Sequence, residues 1–183
     1  GIKSYIFVPD KAPRAKIAQL LAFGAKVFAV KGSYDDAFDL CIKASNEFGW
    51  YNRKTAVNPY TIEGKKSVSY EIWEQMNFDV PDKIFVSVGD GVIYSGVYKG
   101  FYDLYSLRLI DKIPQVIGVQ AEGSSPIVKA FEDGKERVEP IDNPKTIADS
   151  ICVGYPRNGN MALKLARKYN GKFIKVKDEE ILN

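Results

Sequence analysis

Short apolar runs alternate along the chain with segments whose apolar residues recur every three or four positions. Residues 4–8 form an apolar run closed by Pro9, which predicts a buried strand. Pro13 then stands where a first helical residue should, and Ile17, Leu20 and Leu21 make one apolar face before Gly24 stops the helix. Residues 26–30 predict the next strand. Ser33 caps the following helix, Asp36 completes a capping box, and Ala37, Leu40, Cys41, Ala44 and Phe48 form its expected buried stripe. Trp50-Tyr51 is a possible short strand. Beyond the Asn58-Pro59-Tyr60 turn, one helix is expected over residues 62–76. Residues 83–88 give the clearest strand, Gly89-Asp90-Gly91 breaks it, and a helix follows to about Leu109. A strand over 115–120, a helix over 126–132 and a charged loop over 133–145 come next. Residues 150–153 read as a strand, 158–169 as a helix and 172–176 as a last strand. Asp178 is the expected N-cap of a helix just beginning at the end of the chain.

Strands separated by helices imply β-α-β units. The expected class is therefore α/β: a mainly parallel sheet with helices on both faces, a three-layer αβα arrangement. Ligands bind such sheets beyond the carboxyl ends of the strands. That draws attention to the loops after Val8, Val30, Tyr51, Val88 and Gln120.

Composition narrows the chemistry. The chain has 183 residues, 45 % of them hydrophobic and 27 % charged, enough apolar mass for a real core. A net charge of +3 gives no reason to expect nucleic acid or an anionic membrane as partner. No apolar run approaches the roughly 20 residues of a membrane span. There is no His, so a Ser-His-Asp triad, a Cys-His dyad and a His-ligated metal site are all excluded within these residues. Cys41 and Cys152 form no Cys-x-x-Cys pair, and no metal site is expected; a reducing, cytoplasmic compartment suits them. The start inside a strand and the stop inside a helix suggest an internal fragment of a longer protein.

The strongest chemical candidate is the segment Val88-Gly89-Asp90-Gly91-Val92-Ile93. It joins the clearest strand to a helix start. Small residues there let backbone N–H groups approach an anion, and the helix dipole favours negative charge. A phosphate would fit; a tight strand-to-helix turn with nothing bound is the competing reading. It is neither a Walker loop nor a dinucleotide fingerprint, because no Gly-Lys-Ser/Thr follows and Tyr94 replaces the third Gly. Asp10, Asp35 and Asp36 read as caps or solvated charges, and Lys31, Lys65 and Lys66 as surface lysines. Tyr98, Phe101, Tyr102 and Tyr105 read as core or interface, Cys41 as packing, and Glu122 as a solvated loop carboxylate near a possible site.

Several co-linear segments together resemble threonine synthase and its relatives, the fold-type-II pyridoxal-phosphate enzymes. They include Phe23-Gly24-Ala25-Lys26-Val27, Gly32-Ser33-Tyr34-Asp35-Asp36-Ala37, Asn58-Pro59-Tyr60 with Glu63-Gly64-Lys65-Lys66, Val88-Gly89-Asp90-Gly91, Lys99-Gly100-Phe101, Gly118-Val119-Gln120-Ala121-Glu122-Gly123, Ala148-Asp149-Ser150 and Asp178-Glu179-Glu180-Ile181. The resemblance implies a two-domain fold, with residues 1–52 in the small domain and 53–183 in the large cofactor-binding domain. It implies pyridoxal 5'-phosphate as cofactor of the parent protein, with Gly89, Asp90, Gly91, Val92 and Ile93 forming its phosphate loop. It places Thr55, Ala56, Thr61 and Ser150 at the substrate.

The resemblance also puts the Schiff-base lysine upstream of residues 4–8, so no catalytic residue is assigned here and the fragment alone is expected to be inactive. Where many relatives have Gly then Asn in the phosphate loop, this chain has Val92 and Ile93. Where phosphohomoserine-using relatives have Asn-Ser and Arg, it has Thr55-Ala56 and Thr61. The implied activity is a threonine synthase-like lyase acting on a small amino acid by β/γ-elimination or replacement, homodimeric at full length. The alternatives are a threonine/serine dehydratase or ammonia-lyase, or a non-catalytic module that binds a phosphorylated ligand or a partner.

Overall fold

The computed structural model describes residues 2–182. The chain divides into two compact units, Gly1–Asn52 and Arg53–Asn183. The first contains β1 (Tyr5–Pro9), α1 (Arg14–Ala22), β2 (Lys26–Val30) and α2 (Tyr34–Glu47). The second contains α3 (Pro59–Lys65), α4 (Ser67–Gln75), β3 (Lys83–Ser87), α5 (Val92–Ser106), β4 (Gln115–Ala121), α6 (Pro126–Glu132), α7 (Gly159–Lys168), β5 (Lys172–Val176) and α8 (Asp178–Ile181). Short 3-10 turns occupy Glu122–Ser124 and Asp149–Ile151. The α/β class with parallel strands and intervening helices is as the alternation predicts. The strands form two sheets: β1-β2, and β3-β4-β5 with β4 central, every pairing parallel.

In the first unit, local chemistry sets the element ends. Gly24, at φ +78°, follows α1, with Gly24 N–H donating to the Leu21 carbonyl and Ala25 N–H to that of Leu20. Pro13 is the N-cap of α1 rather than its first residue. Ser33 and Asp36 form the expected capping box on α2. The buried stripe of α2 is displaced from the expected one. Ala37 is buried as anticipated, but Phe38 and Ser45 join it while Leu40 and Phe48 are exposed. Trp50 is not in a strand. Its ring stacks between Tyr5, at 4.2 Å between centroids, and Phe48, at 4.9 Å.

In the second unit, the expected helix over 62–76 is two helices broken at Lys66. The break lets both lie on α5. Gly96 receives the Lys65 side chain, and a Cβ at Gly100 would stand 2.5 Å from the Lys66 carbonyl and 2.6 Å from Ser69 Cβ. Asn58 caps α3 by accepting from the Tyr60 N–H. Residues 150–153 are not a strand: the chain there makes a 3-10 turn and then extends. Asp178 is the first residue of α8, not its cap; its carboxylate instead accepts from the Thr146 hydroxyl and the Ile147 N–H.

The core joins the three-stranded sheet to α5, α6 and α7. Val86, Val116 and Phe173 meet Tyr94, Tyr98 and Phe101 of α5, Ile127 and Val128 of α6, and Ala162, Leu163 and Ala166 of α7. Gly118 sits between Val86 and Phe173 in register, and the Phe173 ring occupies the space its side chain would need. Side chains alternate across a sheet. Phe85 and Ile174 therefore lie on the other face, where they are 64 % and 39 % exposed. Among the described residues, no helix is long and apolar enough to cross a membrane.

Candidate phosphate site at the start of α5

Strand β3 ends at Ser87, and Val88 N–H still pairs with the Val119 carbonyl. The chain then turns through Gly89, Asp90 and Gly91 into α5. Gly91 is the N-cap of that 15-residue helix; its φ is +87° and no side chain caps the helix. The first-turn N–H groups of a helix have no acceptor within it. Here those of Val92 and Ile93 meet no capping side chain, and the dipole of α5 adds positive potential.

The two glycines answer to packing. A Cβ at Gly89 would stand 3.2 Å from Val153 Cγ2 and 3.3 Å from the Ile151 Cα; at Gly91 it would stand 3.1 Å from Ala162 Cβ. The loop is thus pressed on segment 151–162. Asp90, whose carboxylate would repel a phosphate if aimed into the loop, is turned away: its Oδ1 accepts from the Arg157 N–H at 3.1 Å. The residues present therefore fit a phosphate through backbone amides.

Two buried polar residues that sequence reasoning passed over hold this loop. Gln120, fully buried, donates from Nε2 to the Val88 carbonyl at 3.3 Å and accepts at Oε1 from the Ile127 and Val128 N–H groups. Asn158 donates from Nδ2 to the Gly91 carbonyl at 3.1 Å and to Ser95 Oγ at 2.6 Å. Its backbone N–H donates to the Asp90 carbonyl at 3.1 Å. A polar residue inside the apolar run of β4 was the available signal for Gln120. Asn158 gave none beyond a helix start.

The expected substrate residues fall in two places. Thr55 and Ala56 lie in the turn before α3 and Thr61 in its first turn, where the Thr61 hydroxyl lies within hydrogen-bond reach of the Thr55 and Asn58 carbonyls, at 2.8 and 2.6 Å. Ser150 lies in the Asp149–Ile151 turn, its carbonyl 3.6 Å from where a Gly89 Cβ would be.

Nearby ionisable groups are structural. Lys66 is not a free surface lysine: Nζ lies 2.9 Å from Asp103 Oδ2 and 3.0 Å from Glu63 Oε2, while Lys99 Nζ lies 3.1 Å from Glu63 Oε1. Hydrogen bonds to Asp103 and Glu63 push the Lys66 ammonium up. Burial alone would raise the Asp103 carboxyl, but hydrogen bonds from Lys66 and Tyr70 with the charges of Lys99 and Lys66 outweigh it and hold it below the ordinary range. Burial pushes the Tyr94 phenol well up and raises that of Tyr98, and Tyr94 donates to the Val116 carbonyl. Burial also raises the Cys152 thiol. None of these is poised to move a proton at neutral pH. Among the described residues, no cluster of acidic and cysteine side chains could hold a metal ion.

A family model described as "Pyridoxal-phosphate dependent enzyme" matches residues 1–183. The chain is 39 % identical over 183 residues to the threonine synthase of Methanosarcina acetivorans, covering 100 % of this chain and 45 % of that protein. It is 38 % identical to the threonine synthase of Methanocaldococcus jannaschii with the same coverages. The chain thus spans about half the length of the curated relatives it matches. Among solved structures, maize serine racemase aligns with a TM-score of 0.81 at 22 % identity, covering 100 % of this chain and 51 % of that one. The processed form of threonine deaminase isoform 2 from Solanum lycopersicum aligns with a TM-score of 0.78 at 22 % identity, covering 98 % and 46 %. At these identities the structural likeness shows the fold.

Proposed function

The chain belongs to the fold-type-II pyridoxal-phosphate dependent enzymes, and from that premise we propose that it is part of a threonine synthase-like lyase acting on a small amino acid. In this reading residues 1–52 belong to the small domain and residues 53–183 to the large one. The intact protein works in the cytoplasm as a homodimer. The observation that carries the reading is the uncapped start of α5 behind Gly89, Asp90 and Gly91, in a chain matched along its whole length by that family.

The amides of residues 89–93 hold the cofactor phosphate, and Arg157 N–H keeps the Asp90 carboxylate out of that space. When bound, pyridoxal phosphate supplies the electron sink that stabilises negative charge at the amino-acid α-carbon. Ser150, beside Gly89, lines the amino-acid side of the loop. Thr55, Ala56 and Thr61 contact the substrate in this reading. No residue among 1–183 takes the Schiff-base role, so these residues alone form no covalent link to the cofactor. Borohydride reduction with pyridoxal phosphate should label only scattered surface lysines. Stoichiometric labelling of one lysine would contradict that.

Thr61 bears on the substrate. Its hydroxyl lies against the Thr55 and Asn58 backbone carbonyls just before α3 and brings no charge. A phosphate dianion in a closed site needs charge-assisted donors, and loss of an arginine fork costs about 2–5 kcal/mol, roughly 30- to 4000-fold in specificity. This favours an unphosphorylated substrate, as in the dehydratase reading. Steady-state assays of the intact protein on threonine, serine and O-phosphohomoserine test both points. The expected outcome is turnover with the highest kcat/KM on an unphosphorylated amino acid. Highest kcat/KM on O-phosphohomoserine overturns the substrate argument, and no turnover of any amino acid favours a non-catalytic module.

A further inference from the structure

Three carbonyls in the loop are held from outside it: Val88 by Gln120 Nε2, Asp90 by the Asn158 N–H, and Gly91 by Asn158 Nδ2. A trans peptide is planar, so its N–H points opposite to its carbonyl. Fixing the Val88 and Asp90 carbonyls therefore fixes the N–H directions of Gly89 and Gly91; the Gly91–Val92 peptide is set by α5 itself, and the Asn158 side chain pins residue 158, whose N–H holds Asp90, against the start of that helix. Without such ties a Gly-Asp-Gly turn can rotate its peptide planes cheaply, because glycine populates both signs of φ. One flipped plane would present a carbonyl, rather than a donor, to an anion.

The ties are unusual for the residues that make them. Asn158 is the N-cap of α7, a position where its side chain would ordinarily accept from that helix's own first turn. It makes no such cap and reaches across to α5 instead. The Gly91 carbonyl already accepts from the Ser95 N–H at 3.1 Å and Ser95 Oγ at 3.0 Å, so helix α5 does not require a third donor there. Gln120 is polar at a fully buried strand position whose neighbours in β4 are apolar or small. It joins the start of α6 to the last carbonyl before the loop.

We propose that Asn158 and Gln120 are positioning residues that aim the amides of Gly89 and Gly91 at a bound phosphate, Gln120 through the Val88 carbonyl and the Asn158 side chain by holding its own backbone N–H on the Asp90 carbonyl. The inference rests on the phosphate-loop reading above. Neither side chain touches the ligand. Their effect appears as the part of cofactor affinity that depends on the phosphate group.

The test measures dissociation constants of the intact protein for pyridoxal phosphate and for pyridoxal, which lacks the phosphate, by equilibrium dialysis. The ratio of the two isolates the phosphate contribution from any general loosening of the fold. Asn158→Ala and the milder Asn158→Ser, whose hydroxyl is too short to span to the Gly91 carbonyl, are compared with Gln120→Ala. Ser69→Ala, which removes a buried hydrogen bond to the Val97 carbonyl on another side of α5, is the control. The wild-type protein should prefer the phosphorylated aldehyde by about 100-fold or more, the Asn158 and Gln120 variants should lose about tenfold or more of that preference, and Ser69→Ala should keep it. An unchanged ratio in the Asn158 variants, or an equal loss for both aldehydes, overturns the positioning role. A wild-type ratio near one overturns the phosphate-loop reading instead.

Discussion

The two units obey the same local rules and differ in what burial adds to them. In residues 2–52 a Ser33–Asp36 box starts α2, and Gly24 closes α1 with both backbone bonds of its motif. Yet the buried side chains of that unit are Ala37, Phe38 and Ser45, and its stacked rings stay partly exposed, Phe28 at 43 % and Phe48 at 64 %. In residues 53–182, α5 starts without any side-chain cap but buries Tyr94, Tyr98 and Phe101 completely, with both phenol oxygens bonded to Val116. Capping draws the elements; core packing decides which of them are held firmly. The candidate phosphate loop is on the firmly held side, which suits a site whose donors must already be aimed.

The largest expected consequence is in hydrogen exchange. Amides of β1 and β2 should exchange about a hundredfold or more faster than those of β4 and the middle of α5, because local opening follows the density of buried contacts. Mass-spectrometric exchange on residues 1–183 measures it directly, and equal protection would erase the distinction between the units. Next in size, Gly100→Ala should destabilise the second unit by about 1–3 kcal/mol, since the added methyl collides with the Lys66 carbonyl and Ser69. Chemical denaturation would read it.

A matched pair of glycines sharpens the same contrast. Gly24 and Gly91 both have positive φ, so alanine costs each about 1–2 kcal/mol of backbone strain. Gly24 has open space around it, whereas a methyl at Gly91 would press on Ala162. Gly91→Ala should therefore lower the midpoint more than Gly24→Ala. A smaller effect is expected from Trp50→Ala, about 1 kcal/mol for the lost stacking on Tyr5 and Phe48.

The smallest is a pH effect. Asp103 and Glu63 both titrate below their ordinary values in the folded protein, Glu63 through its hydrogen bonds to Lys66 and Lys99. A depressed folded value means that the stabilisation is present above the unfolded carboxylate range of about 4 and is lost as pH falls through the folded values. Asp103→Asn should flatten the decline of melting temperature between neutral pH and about pH 3. An unchanged slope would show that the Asp103 ion pairs with Lys66 and Lys99 contribute nothing.

Much of the fold was legible because its signals are local. The strands at Lys26–Val30 and Lys172–Val176, the helix at Pro126–Glu132 and the Ser33 box lie where periodicity and caps put them. The failures occur where tertiary packing overrides the pattern. The helix expected over 62–76 breaks at Lys66 because two helices must fit over Gly96 and Gly100, a constraint written in α5 rather than in the segment itself. The stripe of α2 misplaces Leu40 and Phe48, since periodicity cannot say how much of a helix is covered. For the site, the Gly-Asp-Gly turn before a helix was readable, whereas the partners that fix it come from residues 32 and 67 positions away. A buried amide whose partner is so distant leaves no mark in sequence spacing.

The central claim is that backbone amides of residues 89–93 take the phosphate of pyridoxal phosphate. A crystal structure of the intact protein with that cofactor tests it most directly. The account predicts phosphate oxygens about 2.7–3.2 Å from amide nitrogens in this loop, with the Asp90 carboxylate still on the Arg157 N–H. A phosphate bound elsewhere, or an Asp90 carboxylate swung into the space above α5, would contradict it.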